Sequence, residues 1–189
     1  MTNEQIIWDY FFSKLKNAYG TAALIGNLMA ESSLNPICAN GVKKLGLTNE
    51  QYTEIVDLGK NNNFITDGIA YGLVQWCYKT RKQGLLKFAK EQQKSVGDLN
   101  LQLDYIWQEL QKYKTVLNAL YDATNIKVAS DIVMLKYEKP SNKSEAMKER
   151  RAKYGQKYFD KYGYDIDLTV AFKSAGALFE SLERSLRNE

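Results

Sequence analysis

Along most of the chain, apolar residues recur at three- and four-residue steps, the period of an amphipathic helix. Thr2-Asn3-Glu4-Gln5 reads as a capping box. It opens a helix with Ile6, Ile7, Tyr10, Phe11 and Leu15 on one face, stopping near Gly20. Thr21 then stands as the cap of a second helix, from Ala22 to about Glu31. That segment is apolar nearly all round, so it is expected to be buried at the centre. Pro36 marks its exit, and Thr48-Asn49-Glu50-Gln51 is a second capping box leading into a short helix through Ile55 and Val56. Phe64-Ile65-Thr66, Asp67-Gly68 and Ile69-Ala70-Tyr71 predict a tight β-hairpin about the Asp-Gly pair. Further helices are predicted over about 80–93, 98–112, 114–123, 127–136 and 144–159. The pattern gives a mainly α fold with a buried central helix and a small β-hairpin.

After Gly163 the pattern changes. Leu168, Ala171, Phe172, Ala175, Leu178, Phe179, Leu182 and Leu186 form one apolar stripe beyond the compact unit. Residues 1–163 are therefore read as the domain and 164–189 as an amphipathic helical tail or linker. Two roles stay open for the stripe over 168–186: packing back onto the domain, or self-association and docking to an assembly.

Composition narrows the chemistry chiefly by what it lacks. The 189 residues include no histidine. That excludes Ser-His-Asp and Cys-His nucleophilic machinery and a His-ligated zinc site. Any hydrolysis must be carried by carboxylates, and no metal or organic cofactor is implied. Two cysteines, Cys38 and Cys77, allow a bridge by parity, although free thiols are the commoner state without a signal peptide. No apolar run reaches the roughly 20 residues of a membrane span. The polar N-terminus lacks the order of a signal peptide, so export is expected to need another route or a larger parent protein. A net charge of +4 is a mild bias that suits an anionic wall polymer without marking a nucleic-acid binder. Thirteen tyrosines and three tryptophans offer rings that can stack on sugars.

Within Ile25-Gly26-Asn27-Leu28-Met29-Ala30-Glu31-Ser32-Ser33-Leu34-Asn35-Pro36, a glutamate closes an apolar run. A helix C-terminus and apolar surroundings both disfavour the ionised carboxyl, which suits a general acid in glycosidic cleavage; taken alone, the glutamate reads first as the polar residue that follows a core helix. About 40 residues on lies Tyr71-Gly72-Leu73-Val74-Gln75-Trp76. A helix ending in Gly-Asn-x-x-x-Glu-Ser, followed by Gly-Leu-x-Gln, resembles the lysozyme-like superfamily, particularly goose-type lysozymes and soluble lytic transglycosylases. Lys43-Lys44-Leu45-Gly46-Leu47-Thr48, Asn63-Phe64-Ile65-Thr66-Asp67, Trp76-Cys77-Tyr78-Lys79-Thr80-Arg81-Lys82, Leu103-Asp104-Tyr105-Ile106-Trp107 and Tyr137-Glu138-Lys139-Pro140 bring the resemblance closer. Together they look like the tail-associated lysozyme domain of bacteriophages, over about Asn3 to Tyr162. That domain also occurs in mobile elements and in endolysins aimed at Gram-positive walls.

The resemblance implies a lysozyme-like fold and a muramidase, cleaving the β-1,4 bond between N-acetylmuramic acid and N-acetylglucosamine in peptidoglycan glycan strands. It places the general acid on Glu31, with Ser32 beside it as a substrate-binding residue, and a sugar-binding glutamine on Gln75. Asp67 is the nearest match, offset by about one residue, to an aspartate that helps activate water; its competing reading is a turn aspartate. A further goose-type aspartate is replaced by Cys77, which leaves the general base open. Tyr71, Trp76, Tyr78 and Tyr137 are candidate walls of a sugar cleft, against a competing role in packing; Trp107, on a helical stripe, reads as packing. Glu138 is a second carboxylate, read as a structural ion-pair partner of Arg150 or Arg151 in preference to a catalytic group. The run from Lys136 to Lys161 reads as a solvated face, with anionic wall polymer as the alternative. The chain is expected to be made in the host cytoplasm and to act on the bacterial wall from a virion tail or as a released lysin. Its rivals are a lytic transglycosylase giving the 1,6-anhydro product, and a phage tail or conjugation protein whose fold only binds glycan. A basic nucleic-acid module is disfavoured, because no reading helix is recognisable.

Overall fold

The computed structural model describes residues 2–60 and 63–163. Helices make up most of it: α1 (Asn3–Leu15), α2 (Ala18–Ser32), α3 (Asn49–Asp57), α4 (Lys79–Glu91), α5 (Leu99–Leu110), α6 (Lys114–Tyr121), α7 (Ile126–Ile132) and α8 (Glu145–Tyr162). Two short strands, β1 (Ala39–Asn40) and β2 (Ala70–Tyr71), pair antiparallel. This is the mainly helical architecture with a small sheet that the sequence pattern predicts. The stripe predicted over 168–186 lies outside the described residues. No helix among the described residues is long and apolar enough to cross a membrane.

The first two helices differ from the expectation at their junction. α1 ends at Leu15, where Lys16 takes a left-handed conformation and its N–H closes on Phe12 O. Asn17, not Thr21, caps α2, its side chain accepting from Gly20 N at 2.9 Å. Gly20 does not stop a helix; it sits inside α2 because a Cβ there would lie 2.0 Å from the Leu120 carbonyl oxygen. Of the two TNEQ strings, Thr48 to Gln51 forms the full reciprocal capping box. At Thr2 only half of it forms, since the Gln5 side chain turns instead to Asp9 at 2.8 Å.

α2 is the central helix, with Ala22, Ala23, Leu24, Ile25 and Leu28 fully buried. Its main neighbour is α8, and two glycines let the backbones touch. A Cβ on Gly26 would lie 2.4 Å from Arg151 O, and one on Gly155 would lie 2.8 Å from Ala22 O. This close approach carries the Arg151 side chain along α2 towards its C-terminal end.

The sheet differs from the predicted hairpin. β2 pairs with the distant Ala39–Asn40, and Phe64 to Asp67 form turns rather than a strand. Asp67 explains the change. Its carboxylate draws in Lys82 Nζ at 2.7 Å, Tyr52 Oη at 2.5 Å and Ile69 N at 3.0 Å, which curls the backbone there.

Candidate active site

Glu31 lies in the last turn of α2. The chain turns away at once, because Ser33 and Leu34 are both left-handed, with φ of 55° and 59°. Consecutive residues in this region are costly unless their surroundings hold them, and such strain gathers at functional sites. Here Leu34 is buried and its carbonyl accepts from Asn3 Nδ2 at 3.3 Å. The Glu31 side chain remains 18% exposed.

Two motifs separated by some 40 residues meet at this end of α2. Ser32 Oγ is buried and donates to Leu73 O at 3.0 Å, tying the helix to the Gly72–Gln75 loop. That loop is closed by a bridge in which Tyr71 N donates to Trp76 O and Trp76 N to Tyr71 O, at 3.1 and 2.8 Å. Gly72 (φ 76°) is required, since a Cβ would lie 2.8 Å from both the Gln102 side chain and the Trp76 ring. Gln102 pins the loop from below: Leu73 N donates to its Oε1, and its Nε2 donates to Pro36 O and Val96 O.

Gln75 is held in a left-handed conformation, with φ 49°. Its Nε2 donates to Gly72 O at 2.8 Å and Cys38 O at 3.1 Å, while its buried Oε1 has no hydrogen-bond partner. Buried polar atoms are nearly always satisfied, so an orphaned acceptor on an anchored amide is unusual. Cys38 and Cys77 are free thiols.

Arg151 is the main feature absent from the sequence reading of Glu31. Its guanidinium is buried and donates to Glu31 Oε1 at 2.5 Å and to Asn27 Oδ1 at 3.0 Å. Asn27 is in turn oriented by Nδ2 donation to Ala23 O, Ser130 O and Ser130 Oγ. Glu31 Oε2 keeps no protein partner among the described residues. The ion pair expected for Glu138 is thus made by Glu31 instead, and Arg150 lies on the Tyr154 hydroxyl at the surface. Elsewhere in the basic run, Lys148 pairs with Glu145 and Lys161 with Glu4, as on a solvated face.

Glu138 sits at the end of a π-helical turn, Val133–Glu138, that extends α7. Lys139 N reaches back five residues to Met134 O at 2.8 Å, and the wide turn leaves both Tyr137 and Glu138 buried. π-turns inside helices are frequent at functional sites. Glu138 is 9% exposed, and its Oε1 has no hydrogen-bond partner. Burial first, and then the charge of Glu31, push its carboxyl well above the usual range, against the pull of Arg81 and Arg151.

Asp67 and the predicted aromatic walls have other uses. Both Asp67 oxygens are engaged, by Tyr52, Lys82 and Ile69, and Lys82 is itself buried. Burial lowers the pKa of Lys82, and Asp67 partly restores it. Tyr71, Trp76 and Tyr137 are at most 1% exposed and offer no ring face to a sugar. Tyr71 shares a hydrogen bond with Thr53, and Trp76 and Tyr137 donate to Glu109 Oε2 at 2.9 and 2.8 Å. Arg81 completes that cluster with bonds of 2.7 Å to both Glu109 oxygens, its guanidinium 4.7 Å from the centre of the Tyr137 ring. Tyr78 is exposed and lines a surface cavity of about 360 Å³ with Thr80, Arg81, Tyr113, Tyr137 and Lys139, beside the π-turn. Trp107 packs part-buried against the core.

Gln102 and Glu109, neither of them singled out from the sequence, lie seven residues apart on the apolar face of α5 with Ile106. A polar residue interrupting such a stripe is the signal that points to them. No group of three or more cysteine, aspartate or glutamate side chains among the described residues is placed to hold a metal ion.

No curated protein matches the chain. The phage tail lysozyme family matches residues 2–162, which spans the structure from the cap of α1 to the end of α8. With that match over most of its length, the chain belongs to the phage tail lysozymes, enzymes that break down the peptidoglycan of the bacterial wall.

Proposed function

We propose that the protein is a muramidase in which Glu31 protonates the oxygen of the β-1,4 bond between N-acetylmuramic acid and N-acetylglucosamine. The observation that carries this reading is the meeting of the Glu31 helix end with the Gln75 loop. Glu31 keeps one oxygen free of protein partners, and one hydrogen bond, Ser32 to Leu73, joins its helix to the loop that carries Gln75, whose buried Oε1 has no partner. Gln75 accepts from an N–H or hydroxyl of the glycan, and Glu31 delivers its proton as C1–O breaks towards an oxocarbenium-like transition state. Ser32 is a positioning residue, since its hydroxyl is spent on the protein. The wall is that of a Gram-positive host, by resemblance to the endolysins that share this domain.

One observation favours a second outcome. Asp67 has no free oxygen with which to orient water. With no other base, the muramic C6 hydroxyl attacks C1, the Glu31 carboxylate takes the proton of that hydroxyl, and the 1,6-anhydro product of a lytic transglycosylase forms.

Mass spectrometry of muropeptides released from purified wall tests all of this. Glu31→Gln, folded by circular dichroism, is expected to lose about 10²–10⁴-fold in rate. Near wild-type lysis by that variant removes Glu31 as the acid. A reducing muramic end identifies the hydrolase, and a 1,6-anhydro end the transglycosylase. Catalysis is assigned to residues 1–163, so a chain cut after Gly163 is expected to give the same products. An inactive or unfolded shortened chain contradicts that boundary.

A further inference from the structure

The cavity lined by Tyr78 continues into a second one. The first, of about 360 Å³, is lined by the start of α4 and the π-turn. The second, of about 420 Å³, is lined by the start of α6 and the same turn, and Tyr113 and Lys139 belong to both. Lys112, Lys114, Lys136 and Lys139 stand exposed around them. None of the four enters an ion pair among the described residues, and no acidic side chain lines either cavity. Arg81 adds little to this charge, since Glu109 takes its Nε and Nη2 at 2.7 Å. The basic run on α8 is different, because acids are interspersed there and Lys148 and Lys161 are paired with Glu145 and Glu4. Lysines gathered without acids repel one another, so an outside anion stabilises them. α4 and α6 both begin at this surface, from Tyr78 and Tyr113, with no side-chain hydrogen bond at the cap and no acidic residue in the first turn. Their dipoles add to the same positive field.

We propose that these two cavities and their four lysines bind a phosphodiester-linked anionic polymer of the bacterial wall, and so hold the enzyme on its substrate. The proposal goes beyond the muramidase reading and rests only on the family's action on the wall. Charges spread over two adjoining cavities suit a repeating anion better than a single one. A lysine ammonium is a point charge that suits a tetrahedral phosphate, whereas a planar carboxylate is best met by the guanidinium fork. The one arginine lining the cavities is already committed to Glu109. Tyr78, Thr80 and Thr115 offer hydroxyls to those of a polyol backbone. A second hold on the wall raises the effective concentration of glycan at Glu31 without a new contact to the sugar.

Co-sedimentation of the full chain with purified Gram-positive walls tests this. Walls are used intact, and after cold hydrofluoric acid, which cleaves phosphodiesters and leaves the glycan strands. Intact walls are expected to bind the wild type about tenfold or more tightly than stripped ones. The difference is expected to vanish at about 1 M salt, where the screening length is about 3 Å. A variant with Lys112→Gln, Lys114→Gln, Lys136→Gln and Lys139→Gln is expected to bind both walls as the wild type binds the stripped one. Arginine at the same four positions keeps the charge and is expected to keep the binding, which serves also if the glutamine variant folds poorly.

Equal binding of the wild type to intact and stripped walls overturns the proposal, and so does undiminished binding of the glutamine variant to intact walls. Duplex DNA held through the same lysines more tightly than the intact wall overturns the choice of partner. Muropeptide release from stripped walls is expected to be the same for the wild type and the glutamine variant. Release lost in the variant alone makes the lysines part of the glycan cleft and also overturns the proposal. Release absent from both proteins removes the muramidase reading and leaves the binding result standing, so the two failures read differently.

Discussion

Two sets of carboxylates in this molecule have opposite accounts of their oxygens. At Glu109 and Asp67 every oxygen is taken: Glu109 receives Arg81, Trp76 and Tyr137, and Asp67 receives Lys82, Tyr52 and Ile69 N. At Glu31 and Glu138, acceptor capacity is left over. The first kind fixes a fold, because a buried charge is tolerated only when paired and fully hydrogen-bonded. Glu138 is poorly explained by stability, since its unsatisfied oxygen is buried, at a cost of about 1–3 kcal/mol. Spare acceptor capacity separates Glu31 and Glu138 from these two frame carboxylates, and Asp131, whose Oδ2 takes Lys127 while its buried Oδ1 is unpartnered, shares it.

The largest effect that distinguishes the two sets is expected at Glu109. Glu109→Ala strands the Arg81 guanidinium, the Trp76 indole N–H and the Tyr137 hydroxyl in one step. A loss of about 3–5 kcal/mol is expected, read as the shift in urea unfolding. A loss below about 1 kcal/mol would mean that water or Glu138 takes over the cluster, and that Glu109 is not a frame residue.

Asp67→Asn is expected to be milder. The amide can still accept from Ile69 N or Tyr52, and Lys82 keeps Ile69 O at 2.8 Å. A stability loss of about 1.5–3 kcal/mol is expected, the worth of hydrogen bonds to a charged group, with lysis within a few-fold of wild type. A folded Asp67→Asn protein that loses about 10²-fold in rate would return Asp67 to the role of base and move it into the other set.

The smallest and most specific effect concerns pH. Because the folded Glu138 carboxyl lies above its ordinary value, its stabilising contribution is fully present below about 4.5 and is lost as pH rises through the folded value. Stability of the wild type is therefore expected to fall from mildly acid to neutral pH relative to Glu138→Gln. Each unit of elevation is worth about 1.4 kcal/mol. Parallel stability curves for the two proteins would show that Glu138 titrates like a surface carboxylate and belongs to neither set.

The amino-acid pattern by itself determined the helices, because 3.6-residue periodicity and capping chemistry are local. Thr48 and Gln51 find each other within one turn, and the apolar run from Ala22 to Leu28 leaves α2 no alternative to the centre. The order of Glu31-Ser32 before Gly72-Leu73-x-Gln75, with the absence of histidine, already pointed to carboxylate chemistry on a glycan. Only the tertiary structure decided which carboxylate oxygens keep spare acceptor capacity. The partner of β2, the donors on Asp67, and the meeting of Arg151 with Glu31 across 120 residues are set by long-range contacts. The last depends on two glycines, Gly26 and Gly155, allowing α2 and α8 to touch. Aromatic rings that suit a sugar cleft by type were drawn inside instead. Glu109 and Thr53 gave Trp76, Tyr137 and Tyr71 buried hydrogen-bond partners, and burying their rings stabilises the fold. Helix periodicity is written residue by residue, whereas the saturation of a carboxylate depends on neighbours that only folding assembles.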